Sequence, residues 1–253
     1  MAPPSALLFD CDNTLVLSED LAFTACANLA NILLTAHALP QHAHYTGPQL
    51  MRDFVGQNFR GVLGALQARY GFALTGEEVE EYVRREEVEV IRTFERELVP
   101  CKGVREVLGN LTKQPAERTL PPPIMAVVSS SALRRVRASL QKTALDTFFP
   151  PTHIFSAASS LPTPTSKPDP AIYLYACAQL GVAPSTCVAV EDSKSGTLSA
   201  VRAGIRVVAY VGCYEGERRV EVARELTGLG AGAVMEDWGV EVFRKALEEV
   251  GAA

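Results

Sequence analysis

Three short apolar runs each end abruptly in polar residues. Ala6-Leu7-Leu8-Phe9 gives way to Asp10 and Asp12, Ile124-Met125-Ala126-Val127-Val128 to Ser129, Ser130 and Ser131, and Val188-Ala189-Val190 to Glu191 and Asp192. A fourth run, Val207-Val208-Ala209-Tyr210-Val211, stops at Gly212. Apolar runs without polar alternation fit strands buried on both faces of a parallel sheet. Helical patterns separate them at 103–113, 131–142, 169–181, 194–203, 216–227 and 238–250. The alternation predicts an α/β fold with a doubly wound parallel sheet. In such sheets ligands bind beyond the carboxyl ends of the strands, so the polar groups that end each run are expected to converge.

Residues 18 to about 98 read as helices with no strand signal. In a segment that starts at Glu77 and Glu78, whose charges suit the positive end of a helix dipole, Val79, Val83, Val90 and Phe94 lie near one face. The expected organisation is a core of residues 1–17 and 99–253 with a small all-helical cap domain, 18–98, inserted after the first strand as a lid. Pro121-Pro122-Pro123 and the Pro-, Ser- and Thr-rich stretch 150–166 read as surface loops.

A chain of 253 residues has room for such a core and insertion, and 47% hydrophobic with 21% charged residues is an ordinary globular composition. No apolar run approaches bilayer-spanning length, and no signal-peptide pattern precedes the first strand, so the expectation is a cytoplasmic protein without a membrane partner. The net charge of -5, spread without long single-sign blocks, gives no footprint for nucleic acid. The six cysteines are scattered without CxxC pairs and read as reduced, mostly buried thiols. His37, His42 and His44 lack helical metal-ligand spacing and read as surface residues. Small molecules remain as the expected partners, for a monomer or small homo-oligomer.

The chemistry rests on the strand ends. Asp10 and Asp12 stand two residues apart where a buried strand turns. One carboxylate can attack phosphorus and form an acyl phosphate, while the second protonates the leaving oxygen and later activates water. An Asp-x-Asp pair is also a common turn or helix cap. Glu191 and Asp192 add acids at another strand end; grouped carboxylates repel unless a hard cation such as Mg2+ sits among them, although both can instead cap the helix near Lys194. Ser129 can hold a phosphate oxygen or serve as a helix cap. Lys167, in Ser166-Lys167-Pro168-Asp169-Pro170, can offset phosphate charge or lie exposed in its loop.

Taken together, Asp10-Cys11-Asp12-Asn13-Thr14, Ser129, Lys167-Pro168 and Glu191-Asp192 resemble, in order and spacing, the four motifs of the haloacid dehalogenase superfamily. The resemblance covers nearly the whole chain. It implies a Rossmann-like core with a helical cap after the first strand, as in the sugar-phosphate phosphatase and β-phosphoglucomutase-like group. It implies Asp10 as nucleophile, Asp12 as general acid/base, and Ser129, Ser130 and Lys167 around the phosphoryl group, with Lys167 also orienting Asp10. It implies a magnesium ion held by Asp10, the Asp12 backbone carbonyl and Asp192, with Glu191 as a ligand or close partner. Thr14 is expected to support the loop and orient Asp12. Asn13 stands where these families commonly have glycine; asparagine tolerates positive φ better than most residues.

Asp12 argues for phosphoryl chemistry, since a halide leaves without protonation. Residues 18–60 contain no lysine for a Schiff base, and Ala22 stands where the mutases carry a cap histidine, which favours hydrolysis. The expected function is a magnesium-dependent phosphatase acting on a small phosphorylated metabolite: a sugar, polyol or sugar-acid phosphate. A phosphomutase and a catalytically silent binding module are the alternatives. Glu19 and the stretch Gly56-Gln57-Asn58-Phe59-Arg60 are the expected substrate-facing elements of the cap, with Gln57, Asn58 and Arg60 supplying amide and guanidinium groups, unless they pack the cap internally.

Overall fold

The computed structural model describes residues 3–37, 44–54, 57–113 and 122–252. Along the chain, β1 (Ala6–Phe9) precedes four helices, α1 (Glu19–Ala36), α2 (Gly47–Asp53), α3 (Phe59–Tyr70) and α4 (Gly76–Glu97). Then come α5 (Val104–Thr112), β2 (Ile124–Ser129), α6 (Leu133–Lys142), β3 (Ile154–Ser156), α7 (Ala171–Leu180) and β4 (Cys187–Glu191). The chain closes with α8 (Lys194–Arg202), β5 (Arg206–Tyr210), α9 (Gly216–Gly228), β6 (Ala233–Met235) and α10 (Val240–Ala252). It divides into two compact units, 1–17 with 99–253, and 18–98.

The first unit is a Rossmann-like α/β fold. Its six described strands form one sheet in the order β3-β2-β1-β4-β5-β6, all pairs parallel. Side chains alternate between the two faces of a strand, and in β1 both faces are apolar. Ala6 and Leu8 join a cluster with Val128, Tyr173, Ala176, Ala189 and Val207. On the other side the Phe9 ring meets Phe149 and Trp238 at centroid distances of 6.0 Å each, and Phe243 at 6.4 Å. Helices therefore cover the sheet on both sides, which is why the strand runs lack polar alternation.

Two strands depart from the sequence reading. Residues 150–166 are not simply a surface loop, because Ile154–Ser156 is a fully buried edge strand beside β2. Ala233–Met235 forms the opposite edge beside β5. Each has only three residues, too few for a periodic signal to stand out.

The second unit, 18–98, is built from α1 to α4. Leu33, Leu50, Phe59, Leu63 and Leu66 are core residues, with Val79 and Val83 packed against them. Thr46 with Gln49 and Thr75 with Glu78 form complete capping boxes on α2 and α4, satisfying backbone N–H groups that a helix start leaves without partners. Helix α3 ends at Gly71 in the left-handed conformation, φ 70°. His37 and His44 are exposed, whereas His42 and Gly56 lie outside the described residues. Of the six cysteines, all free, Cys11, Cys101, Cys177 and Cys187 are buried.

Candidate active site

Strand register brings the candidate residues together. Phe9 lies level with Val127 of β2 and Val190 of β4. The next residue on each strand is Asp10, Val128 and Glu191, so all three emerge at one end of the sheet, and the Asp10 N–H donates to Val190 O at 3.0 Å. Lys167 arrives from the β3–α7 connection. Its Nζ donates to Asp10 Oδ1 at 2.6 Å, Glu191 Oε1 at 2.6 Å and Val128 O at 2.8 Å. Those three bonds use every N–H of the ammonium. Far from lying exposed in a loop, Lys167 is 6% accessible, and its ion pairs are buried.

Burial raises the pKa of Asp10 from 3.8 to about 7; Lys167 opposes this, and Glu191 and Asp12 add to it. Burial by itself would lower the pKa of Lys167, but Asp10 and Glu191 outweigh it and hold the ammonium above its ordinary value. With three acceptors around it, the lysine keeps its proton. Lys167 takes Asp10 Oδ1, which leaves Oδ2 of the same carboxyl for chemistry. Burial also pushes the thiol of Cys11, between the two aspartates, well above its usual pKa.

Asp12 Oδ2 accepts a hydrogen bond from Ser131 Oγ at 2.7 Å. Thr14 does not take that task. Its Oγ1 donates instead to Asp192 Oδ1 at 3.2 Å, because the turn carries it toward the end of β4. Asn13 makes this turn at φ 57°, a left-handed conformation that asparagine accepts more readily than most residues. Trp238 pins the same turn, its Nε1 donating to Thr14 O at 3.0 Å. Tyr214 OH reaches Asp192 Oδ2 at 3.3 Å.

The helix-cap alternatives are not what the structure uses. Helix α8 is capped by Ser193, whose side chain accepts from Gly196 N, so Glu191 and Asp192 are left for other work. Helix α6 starts after Ala132, so Ser129 caps nothing. Its Oγ, almost fully buried, accepts the Ser131 N–H at 3.0 Å, which leaves the hydroxyl hydrogen for a further acceptor. Ser130 Oγ accepts the Lys167 backbone N–H at 3.2 Å.

A divalent cation suits this donor set. Asp10, Glu191 and Asp192 each offer a carboxylate oxygen, all within 4.8 Å of one another. Glu191 Oε2 is buried without a hydrogen-bond partner, an arrangement that costs free energy unless something binds there. Gly196 makes room for this carboxylate: a Cβ at that position would lie 1.7 Å from Glu191 Oε2. Hard oxygen donors, few in number, match magnesium.

Tyr173, Ser131 and Tyr214 carry polar contacts of the site that the sequence reading did not assign. Tyr173 OH donates to Glu191 Oε1 at 2.5 Å. A tyrosine inside an apolar helix resembles any core residue, and only the tertiary structure aims its hydroxyl. In the 18–98 unit the expected substrate-facing residues have local roles. Asn58 caps α3 by accepting from Gly61 N at 3.0 Å, and Arg60 pairs with Glu80 at 2.7 Å. Gln57 is exposed, and Glu19, also exposed, opens α1.

The comparisons with known proteins agree with the fold. A family model described as haloacid dehalogenase-like hydrolase matches residues 4–204, and the chain belongs to this family of hydrolases. The 6-phosphogluconate phosphatase of Escherichia coli is 26% identical over 207 residues, covering 82% of each chain. Hexitol phosphatase B of the same organism is 30% identical over 208 residues, covering 80% of this chain and 82% of that protein. A solved hydrolase of the family from Deinococcus radiodurans, with phosphate and sodium bound, is 26% identical with a TM-score of 0.67, covering 99% of this chain and 98% of that one. Among the described residues no helix is long and apolar enough to cross a membrane.

Proposed function

We propose that this chain is a magnesium-dependent phosphatase that hydrolyses a small phosphorylated sugar, polyol or sugar acid through an aspartyl phosphate on Asp10, with residues 18–98 as its substrate-selecting cap domain. The observation that carries this reading is the buried cluster in which Lys167 Nζ bridges Asp10 and Glu191 at 2.6 Å each. Mutually repelling carboxylates kept inside a protein have no structural purpose that apolar residues would not serve better. The substrate class is supported by two relatives, one named for 6-phosphogluconate and one for hexitols.

In this mechanism Lys167 holds Asp10 Oδ1 and orients the carboxylate, so Oδ2 attacks phosphorus in line with the ester oxygen. The new bond is Asp10 Oδ2 to phosphorus, and the bond that breaks joins phosphorus to the alcohol oxygen. Asp12, positioned by Ser131, gives its proton to that leaving oxygen. It then takes a proton from the water that attacks the acyl phosphate, releasing inorganic phosphate and restoring Asp10. The Ser129 hydroxyl and Ser130 hold phosphoryl oxygens, and Lys167 contributes its charge. Asp10, Asp192, Glu191 and the Asp12 carbonyl would hold magnesium, which would supply positive charge to offset the negative charge of the transferring phosphoryl group.

The test is phosphate release from an aryl phosphate and a panel of sugar, polyol and sugar-acid phosphates, with magnesium or chelator. Wild type should release phosphate only with magnesium, and Asp10→Asn should lose at least about a thousandfold in rate. Release that survives in Asp10→Asn refutes the nucleophile assignment. Turnover that requires a bisphosphate activator and yields an isomer supports the mutase alternative.

A further inference from the structure

Glu191 is the least accessible acid of the site, at 0% exposure. Its carboxylate is held asymmetrically. Oε1 takes two donors, Lys167 Nζ at 2.6 Å and Tyr173 OH at 2.5 Å, whereas Oε2 takes none. Behind it lies Gly196, whose missing Cβ leaves the space the carboxylate fills.

Lys167 by itself is a poor clamp for Glu191. Its flexible four-carbon stem also serves Asp10 and Val128 O. Tyr173 differs in kind. It sits in the first turn of α7, is fully buried in the apolar cluster and has only two side-chain torsions to hold. Its ring lies 5.2 Å from Lys167 Nζ, so one rigid side chain bounds both partners of the ion pair.

We infer that Tyr173 is a positioning residue: its hydroxyl fixes Glu191 Oε1 and so presents Oε2 to a divalent cation shared with Asp10 and Asp192. This rests on the reading of those three carboxylates as the magnesium site. Without the hydroxyl, Oε1 loses one of its two donors in a place closed to solvent. The carboxylate is then free to turn and offer Oε2 to Lys167, which removes an oxygen from the cation.

Tyr173→Phe tests this, since it keeps the ring, its packing and its contact with Lys167 while deleting one O–H. Magnesium binding to wild type and variant is measured by titration calorimetry, alongside kcat and KM for whichever phosphate ester wild type turns over. The expected result is magnesium affinity weakened about tenfold, the factor that corresponds to about 1.4 kcal/mol and to the lower range for a hydrogen bond to a charged group. The magnesium concentration for half-maximal kcat rises in parallel, KM for the ester at saturating magnesium stays near wild type, and Tyr175→Phe on the same helix changes neither. If Tyr173→Phe binds magnesium as tightly as wild type and only its melting temperature falls, the hydroxyl is ordinary core satisfaction and the inference is overturned. Wild type that binds no magnesium instead overturns the cation site itself. Should Tyr173→Phe fail to fold, a fluorinated tyrosine at position 173 provides a resonance expected to shift on magnesium titration; a resonance indifferent to magnesium overturns the inference.

Discussion

Lys167 and Arg60 each make close ion pairs, and the two have opposite meaning. Lys167 meets Asp10 and Glu191 at 2.6 Å with its side chain 3% exposed, and those partners lie 157 and 24 residues away in sequence. Arg60 meets Glu80 at 2.7 Å on the surface of the 18–98 unit, with both side chains about half exposed. Most other ion pairs of that unit are also local and solvated, such as Arg84 with Glu81 and Arg92 with Glu89, each three residues apart on one helix. Water and salt can stand in for a lost partner at the surface, whereas a buried charge that loses its partner is left uncompensated. Contact distance alone therefore says little about importance; burial and the number of partners decide it.

Lys167→Met should have the largest effect. Removing this ammonium from a buried carboxylate cluster should cost about 3–5 kcal/mol of stability, read as a lower urea midpoint at pH 7. A variant as stable as wild type would mean that water already reaches the cluster. A smaller, pH-dependent effect follows from Asp10. Its pKa is raised to about 7 in the fold, so its contribution to stability is fully present below about 3.8 and is lost as the pH rises through about 7. The metal-free protein should lose stability across that window relative to Asp10→Asn. Because a cation favours the ionised carboxylate, the rise in melting temperature caused by magnesium should be larger at pH 8 than at pH 5. An equal rise at both values would exclude Asp10 from the cation site. The smallest effect belongs to Arg60→Ala, which should leave the unfolding midpoint within experimental error. If the same variant changes the ranking of phosphate esters, Arg60 faces substrate as the sequence suggested; an unchanged ranking confines it to its pairing with Glu80.

Much of the core was legible in advance because its signals are local. Four strands with continuous apolar runs lie within a residue or two of where the pattern put them, and so do the helices that follow. The edge strands Ile154–Ser156 and Ala233–Met235 were not, since three residues cannot display a period. Asp10, Asp12, Glu191 and Asp192 stood out by residue type at strand ends, and Lys167 as a lysine in the loop segment Ser166-Lys167-Pro168-Asp169-Pro170, though not in its burial. Ser131 and Tyr173 did not, because a serine in a turn and a tyrosine in an apolar helix are what an unremarkable core also contains. Thr14 was legible as a residue of the loop but not in its direction, toward Asp192 and not Asp12.

The strand runs, the polar residues that end them and, through their alternation with helices, a parallel sheet with both faces covered are written into the chain locally. Hydrophobic periodicity and backbone preference suffice for that, being properties of neighbouring residues. Long-range packing puts Phe9, Val127 and Val190 on one level, so that Asp10 and Glu191 emerge side by side with Lys167 between them. It alone turned Tyr173 onto Glu191 and left Oε2 of that acid without a partner. Register and burial arise from the packing of segments remote in sequence, and it is burial that turns ordinary carboxylates into a site with a raised pKa and room for a cation.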